Sequence, residues 1–294
     1  MTDPSGGVPF GMQNMQEGNR YIKKGNTLFP CPSFKNIEDV LDLPPDEEVI
    51  TVLGKQMGRI VLEYDFSYVT KYGYGVQPPE AEAMRLVSKH TAVPVPEVIF
   101  TDFDHDYGSI QMSIIPGSRL EGKWDTLDEQ SKESVCLQVW DFISKIRTIP
   151  RPPELEGLFQ CLADGSLSRD PLFEDLQEPG RPLMNDSELR TRIYERYIHF
   201  GGSRYEHELP DMLPRSNCSV FTHADIAPRN IMVDEQNTVT GILDWEYAGW
   251  YPDYWEYAQI MRPAFRGDLK VWMDRTAPQI WDISGINAAR RVLF

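Results

Sequence analysis

Hydrophobic positions along the chain change their period once, near Gly117. Before it, apolar and β-branched residues fall in short runs over 49–53, 59–64 and 67–72, with Gly54 and Gly58 bracketing the first turn. Such runs predict an antiparallel meander. Pro79 then opens a helix with Glu80, Met84 and Val87 at i, i+4 and i+7, and Pro94 and Pro96 prevent its continuation. Strands over 97–101 and 109–114 follow, and Pro116-Gly117 closes the unit.

Beyond Gly117 the period is helical. Thr126 and Glu129 form a capping box ahead of a stripe of Val135, Val139, Phe142 and Ile146. Asn185 caps a second helix with Leu189, Ile193 and Tyr197 on one face. Between them, 150–184 is rich in Pro, Gly and Asp without a period, the kind of segment that in compact proteins is functional or mobile. Residues 1–32 also lack periodic apolar positions and read as a flexible arm; Ser33 then caps a short helix carrying Ile37, Val40 and Leu41. The pattern divides the chain into an arm (1–32), a β-rich lobe with one helix (33–116) and a helical lobe (117–294), an α+β architecture.

Composition narrows the function classes. A formal charge of −16 over 294 residues argues against a nucleic-acid binder, which would carry a basic patch, and is compatible with a cationic small molecule. No run of eighteen apolar residues occurs and the first 25 residues are polar, so a cytoplasmic protein with no membrane partner is expected. Cys31, Cys136, Cys161 and Cys218 form no C-x-x-C pair, which points to reduced, structural thiols. The sequence says nothing of oligomeric state.

The candidate chemistry lies in VFTHADIAPRNIMVDEQNTVTGILDW, residues 220–245. Strands over 231–233 and 239–243 joined by a turn make a hairpin whose open end brings Asn230 and Asp244 together. Pro228 keeps the preceding loop from becoming helical, so His223 and Asp225 can face the same end. A carboxylate and an amide oxygen, Asp244 and Asn230, suit Mg²⁺, and a second carboxylate, Asp225, can orient or deprotonate a hydroxyl.

The loop His223-x-Asp225-x-x-x-x-Asn230, followed by Asp244 and the tail AGWYPDYWEYA (248–258), resembles the aminoglycoside phosphotransferase and choline kinase family, especially its fungal-type members. That resemblance spans roughly 48–262 and implies a two-lobed protein-kinase-like fold with ATP and Mg²⁺ as cofactors. It implies that Asp225 is the catalytic base toward a hydroxyl of a small molecule. His223 is then mainly a structural support of the loop, although its imidazole alone could act as a base. It further implies that Lys71 contacts the nucleotide phosphates with Glu80, rather than Glu82, as its ion-pair partner, and that backbone groups of Ser113 and Ile115 bind adenine.

Two departures stand out. Ala224 occupies a position that is usually Gly in the family, and 52–59 matches no phosphate-loop pattern. Alternative readings are a nucleotide-binding protein without phosphoryl transfer, or an enzyme using the same fold for another transfer or condensation. Arg229 can steady phosphate or form a surface ion pair, and the aromatic run Trp250, Tyr251, Tyr254, Trp255 and Tyr257 is core or, less simply, a cage for a cation. The acceptor is expected to contact 150–182 and the helices around 194–207, whose acids Asp164, Asp170, Glu174, Asp175, Glu195 and Glu206 could hold an amine.

Overall fold

The computed structural model describes residues 7–56, 58–262 and 267–293, so residues 1–6 of the expected arm lie outside the described residues. Its contacts separate two compact units, Met1–Ala81 with Pro96–Ile114 and Glu82–Val95 with Ile115–Phe294.

The first unit is an eight-stranded sheet in the order β1-β3-β2-β4-β5-β6-β8-β7, antiparallel throughout. Its strands are β1 (Val8–Pro9), β2 (Arg20–Lys24), β3 (Thr27–Pro30), β4 (Glu47–Gln56), β5 (Arg59–Tyr64), β6 (Tyr68–Tyr74), β7 (Val98–Asp104) and β8 (Tyr107–Ser113). The expected meander is β4 to β6. Alternation along it puts Ile60 and Leu62 on one face, in a core with Ile50 and Val52, and leaves Val61 and Lys71 on the other.

The segment read as a flexible arm is, from residue 7 onward, part of this sheet. Strand β2 pairs Tyr21 with Ile50, and Met15, Tyr21 and Leu28 are buried over β4 and β5. Three apolar anchors separated by Gly, Asn and Pro turns are too sparse to show a period. Burying each still contributes about 1.5–3 kcal/mol, enough to dock a short hairpin. The helix expected after Ser33 is a single 3-10 turn, Ile37–Val40, capped instead by Asn36 with Asp39, and Ile37 and Leu41 are exposed.

Helix α1 (Pro78–His90) leads from the first unit into the second. The second unit holds α2 (Glu129–Ile146), α3 (Asp186–His199), α4 (Leu209–Met212), α5 (Trp255–Ile260), α6 (Leu269–Thr276) and α7 (Ser284–Leu293). It also holds two small antiparallel sheets, β10-β14-β11 and β13-β12-β9. Their strands are β9 (Ser118–Arg119), β10 (Cys161–Leu162), β11 (Ser219–Thr222), β12 (Ile231–Val233), β13 (Val239–Ile242) and β14 (Gly249–Pro252).

Helix α2 starts two residues later than a Thr126 cap would place it. The Asp128 carboxylate accepts from the Ser131 N–H, while the Thr126 hydroxyl donates to the Lys123 carbonyl. The Asn185 cap of α3 accepts from the Glu188 N–H, and Leu189, Ile193 and Tyr197 are buried. The aromatic residues Trp250, Tyr251, Tyr254, Trp255 and Tyr257 are all buried, which makes the run core rather than a cage open to a ligand.

Little of 150–184 is regular, yet it is bolted to α3. Arg192 donates to the Phe173 and Arg181 carbonyls and pairs with Asp175 at 2.8 Å, and Arg196 holds the Glu174 carbonyl and carboxylate. Backbone carbonyls of an irregular segment must find donors somewhere, and here two buried guanidinium groups supply them. No helix among the described residues is long and apolar enough to cross a membrane.

Candidate active site

In the first unit, Lys71 and Glu80 are buried, and Lys71 Nζ lies 2.9 Å from both carboxylate oxygens of Glu80. Glu82, one side-chain direction away, sits beside Arg85 instead, at 3.9 Å. At the end of β8 the Ser113 N–H donates to the Glu97 carbonyl at 2.9 Å. That N–H is therefore committed, which leaves the Ser113 carbonyl as its backbone group for the expected adenine contact. In the second unit the Ile115 side chain fills the space that Gly241 leaves beside it.

The second unit assembles the remaining residues at the open end of the β12–β13 hairpin. Ile231 pairs with Ile242, and the Leu243 N–H donates to the Asn230 carbonyl at 2.8 Å, which fixes Asp244 next to the start of β12. The Asn230 Nδ2 donates to the Asp225 carbonyl and to Asp225 Oδ2, each at 2.9 Å. Its amide oxygen, a hard neutral ligand, is consequently the atom not used in holding the loop.

His223 is wholly buried, with Trp245 edge-on at 4.5 Å. Its Nδ1 accepts from the Asp225 N–H at 3.1 Å, so the proton resides on Nε2, which donates to the Leu243 carbonyl at 3.0 Å. Burial lowers its pKa to about 4, outweighing the hydrogen bond to Leu243 and the nearby charge of Asp244. A neutral ring with both nitrogens committed to the backbone is a strut and has no lone pair left to serve as a base.

The Asp225 carboxylate is raised in pKa by burial, against the opposing pull of Arg229 and the Asn230 amide; the charge of Asp244 adds to the rise. Arg229 Nη2 reaches both its oxygens, at 2.8 and 2.6 Å, from a side chain about half exposed. Arg229 is thus the counter-ion of Asp225, an ion pair of the kind the sequence offered for it.

Glu256 was not legible as part of the site. Its side chain, fully buried at the start of α5, accepts from two successive loop amides, His223 at 2.7 Å and Ala224 at 3.1 Å. Burial raises its pKa to about 7 despite those bonds and the charge of Arg147. Ala224 itself has φ 66, the left-handed conformation that a family glycine would adopt freely, and Asp244 is likewise left-handed at φ 64. The Glu256 carboxylate stabilises that turn from below. The only sequence signal was an acid inside an otherwise apolar, aromatic stretch, Trp255-Glu256-Tyr257.

The six acids expected to hold an amine mostly have partners already. Glu174 pairs with Arg196, Asp175 with Arg181 and Arg192, Glu195 with Arg181, and Asp170 accepts from Gln259 within a buried chain reaching Arg290. Among the described residues no group of three or more His, Cys, Asp or Glu could hold a metal. A two-ligand set of Asn230 and Asp244 still fits Mg²⁺, since both offer oxygen and this ion completes its shell with phosphate and water oxygens.

A model described as the phosphotransferase enzyme family, APH, matches residues 76–276. An aminoglycoside-3'-phosphotransferase of type VIII is 18% identical and superposes with a TM-score of 0.53, covering 83% of this chain and 93% of its own. The ternary complex of APH(2")-IIa with streptomycin and ATP is 11% identical, with a TM-score of 0.54 and coverage of 83% and 80%. ADP-bound APH(2'')-Ib is 12% identical, with a TM-score of 0.53 and coverage of 87% and 83%. These enzymes share the α+β, protein-kinase-like fold.

Proposed function

The chain belongs to the phosphotransferase enzyme family, and from that premise we propose that it transfers the γ-phosphoryl group of ATP to a hydroxyl of a small molecule. The observation that supports this reading is the cluster at the hairpin end, where the Asn230 amide holds Asp225 and the charge of Asp244 acts on the Asp225 carboxyl.

In the reaction the acceptor hydroxyl oxygen forms a bond to the γ-phosphorus as the bond from that phosphorus to the β-bridging oxygen breaks, and ADP leaves. Asp225 orients the hydroxyl and receives its proton. To do so it must exchange at least one of its Arg229 contacts for the substrate, and its burial favours a carboxylate that accepts a proton readily. Asn230 and Asp244 would hold Mg²⁺, which when bound neutralises phosphate charge. Lys71, oriented by Glu80, meets the nucleotide phosphates, and Ile115 with the carbonyl of Ser113 offers the backbone edge for adenine. His223 and Glu256 position the loop without touching substrate. Most of the acceleration comes from positioning and charge stabilisation.

Two features bear on the acceptor. The related enzymes bind aminoglycosides such as streptomycin, and this chain is strongly acidic overall. Its acids near α3 are largely neutralised by its own arginines, so a polycationic acceptor has fewer carboxylates to meet there than the sequence suggests. The test is calorimetric titration with ATP, with and without Mg²⁺, for the wild type and Asp244→Ala, followed by an acceptor screen read by ADP release. Magnesium-dependent binding that the substitution weakens at least tenfold is expected; absence of nucleotide binding by the wild type would end the proposal.

A further inference from the structure

The C-terminal helix α7 brings one buried cation, Arg290, against α5. Ile286 and Ala289 of α7 share a core with Leu189 and Ile193 of α3, and Gly285 lies so close to α4 that a β-carbon would stand 2.6 Å from the Met212 carbonyl carbon. Helix α5 is six residues long, too short to persist without tertiary support. At its C-terminal end the Arg262 N–H turns to the Gln259 carbonyl at 3.1 Å rather than to Ala258, four residues back. The Ala258 carbonyl accepts instead from Arg290 Nη1 at 2.7 Å, where a cation also meets the negative end of the helix dipole. The same guanidinium lies 5.7 Å from the Trp255 ring centre. In sequence, Glu256, the acceptor for the His223 and Ala224 amides, falls between these two contacts.

The other terminal nitrogen reaches a second segment. Arg290 Nη2 donates to Gln259 Oε1 at 2.8 Å, and Gln259 Nε2 donates to Asp170 Oδ2 at 2.8 Å. An amide has one accepting and one donating end, so a cation on one side and a carboxylate on the other fix its orientation. All three side chains are buried. Asp170 is in turn the hub of a turn in the irregular segment. Its Oδ1 accepts from the Leu172 N–H at 2.9 Å, and its carbonyl accepts from the Phe173 and Glu174 N–H groups at 2.8 and 3.2 Å. Phe173 packs on Trp255, their ring centres 4.3 Å apart. A buried polar chain of this kind is favourable only when every member is satisfied, which suits it to setting a spacing.

We infer that Arg290 is a positioning residue for phosphoryl transfer: from α7 it sets the spacing between the Asp225 loop, held through α5, and the 170–174 turn, held through Gln259. The inference rests on the reading of Asp225 as the base proposed above. It makes the C-terminal helix part of the working enzyme, acting only through other residues.

The experiment compares the wild type, Arg290→Met, Arg290→Lys and Gln259→Met by calorimetric ATP binding, by ADP release from ATP and Mg²⁺ with water as the acceptor, and by amide hydrogen exchange without nucleotide. Arg290→Met should lower ADP release at least tenfold while ATP affinity stays within threefold, and Arg290→Lys should recover part of the loss. Arg290→Met should also speed exchange of amides 172–174 and 223–225 at least tenfold. Gln259→Met, which leaves the bond to Ala258 in place, should speed only the first group. Strands β4 to β6 should exchange as in the wild type throughout. Unchanged ADP release in Arg290→Met, or a loss of ATP affinity equal to the loss of ADP release, would overturn the positioning role. Unchanged exchange at 223–225 in Arg290→Met, or equal acceleration of both groups in Gln259→Met, would overturn the two-armed spacing. Should Arg290→Met not fold, Arg290→Lys and Gln259→Met carry the same comparison. If the wild type releases no ADP, the role in transfer fails together with the reading it rests on, whereas the exchange results decide the spacing by themselves.

Discussion

Replacing Glu256 with Gln isolates the buried acid that accepts from the His223 and Ala224 amides of the loop carrying Asp225. In the folded protein burial keeps this carboxyl protonated up to about pH 7, against an ordinary value of 4.5. Each tenfold change in proton affinity is about 1.4 kcal/mol, so the difference amounts to about 3 kcal/mol. Because the folded-state pKa is the higher one, the contribution is fully present below pH 4.5 and is lost as pH rises through 7. Glutamine cannot titrate, and its amide nitrogen faces one of the two loop N–H groups, which costs about 1–3 kcal/mol at every pH. Urea unfolding of both proteins from pH 4.5 to 8 therefore yields a stability difference, wild type minus Glu256→Gln, that shrinks by about 3 kcal/mol between pH 4.5 and 7 and is flat above. The subtraction cancels all other titrating groups. A difference that stays constant with pH would refute the assignment of a shifted, buried Glu256.

Three further outcomes are expected. Asp225→Asn should lower ADP release in the presence of acceptor by at least about a thousandfold while ATP affinity, read by calorimetry, stays within about threefold, as befits a group acting on the hydroxyl. Arg192→Ala should destabilise the protein by about 1–3 kcal/mol in urea unfolding, because the Phe173 and Arg181 carbonyls lose their donor while Asp175 keeps Arg181 as its partner. Ala224→Gly should be within about 1 kcal/mol of wild type in the same assay: relief of a left-handed alanine, about 1 kcal/mol, is offset by the added freedom of the unfolded chain.

Where burial alternates regularly, the sequence could be read directly. The β4–β6 meander, the α3 stripe and the hairpin that brings Asn230 to Asp244 all follow from local spacing, since each involves residues within one or two adjacent elements. What could not be read is pairing between distant segments. Tyr21 and Leu28 look like isolated apolar residues until β2 is laid beside β4. Glu256 looks like an acid misplaced in a hydrophobic helix until the amides of His223 and Ala224 are brought over it, 33 and 32 residues away in the chain. The acids near α3 suggested an amine site because their arginine partners, at neighbouring turns, gave no signal of which carboxylate each would take.

The bond from Glu256 to the loop also bears on the order in which the protein becomes competent. The turn at Ala224 is energetically unfavourable by itself, by about 1–2 kcal/mol, and its compensating acceptor lies on a helix made later in synthesis. A chain growing from its N-terminus can complete the eight-stranded sheet, whose last strand ends at Ser113, well before residue 256 exists. The loop backbone thus reaches its final shape only when α5 packs against it, so nascent or truncated chains ending before Glu256 should have a formed sheet and no organised 223–230 loop.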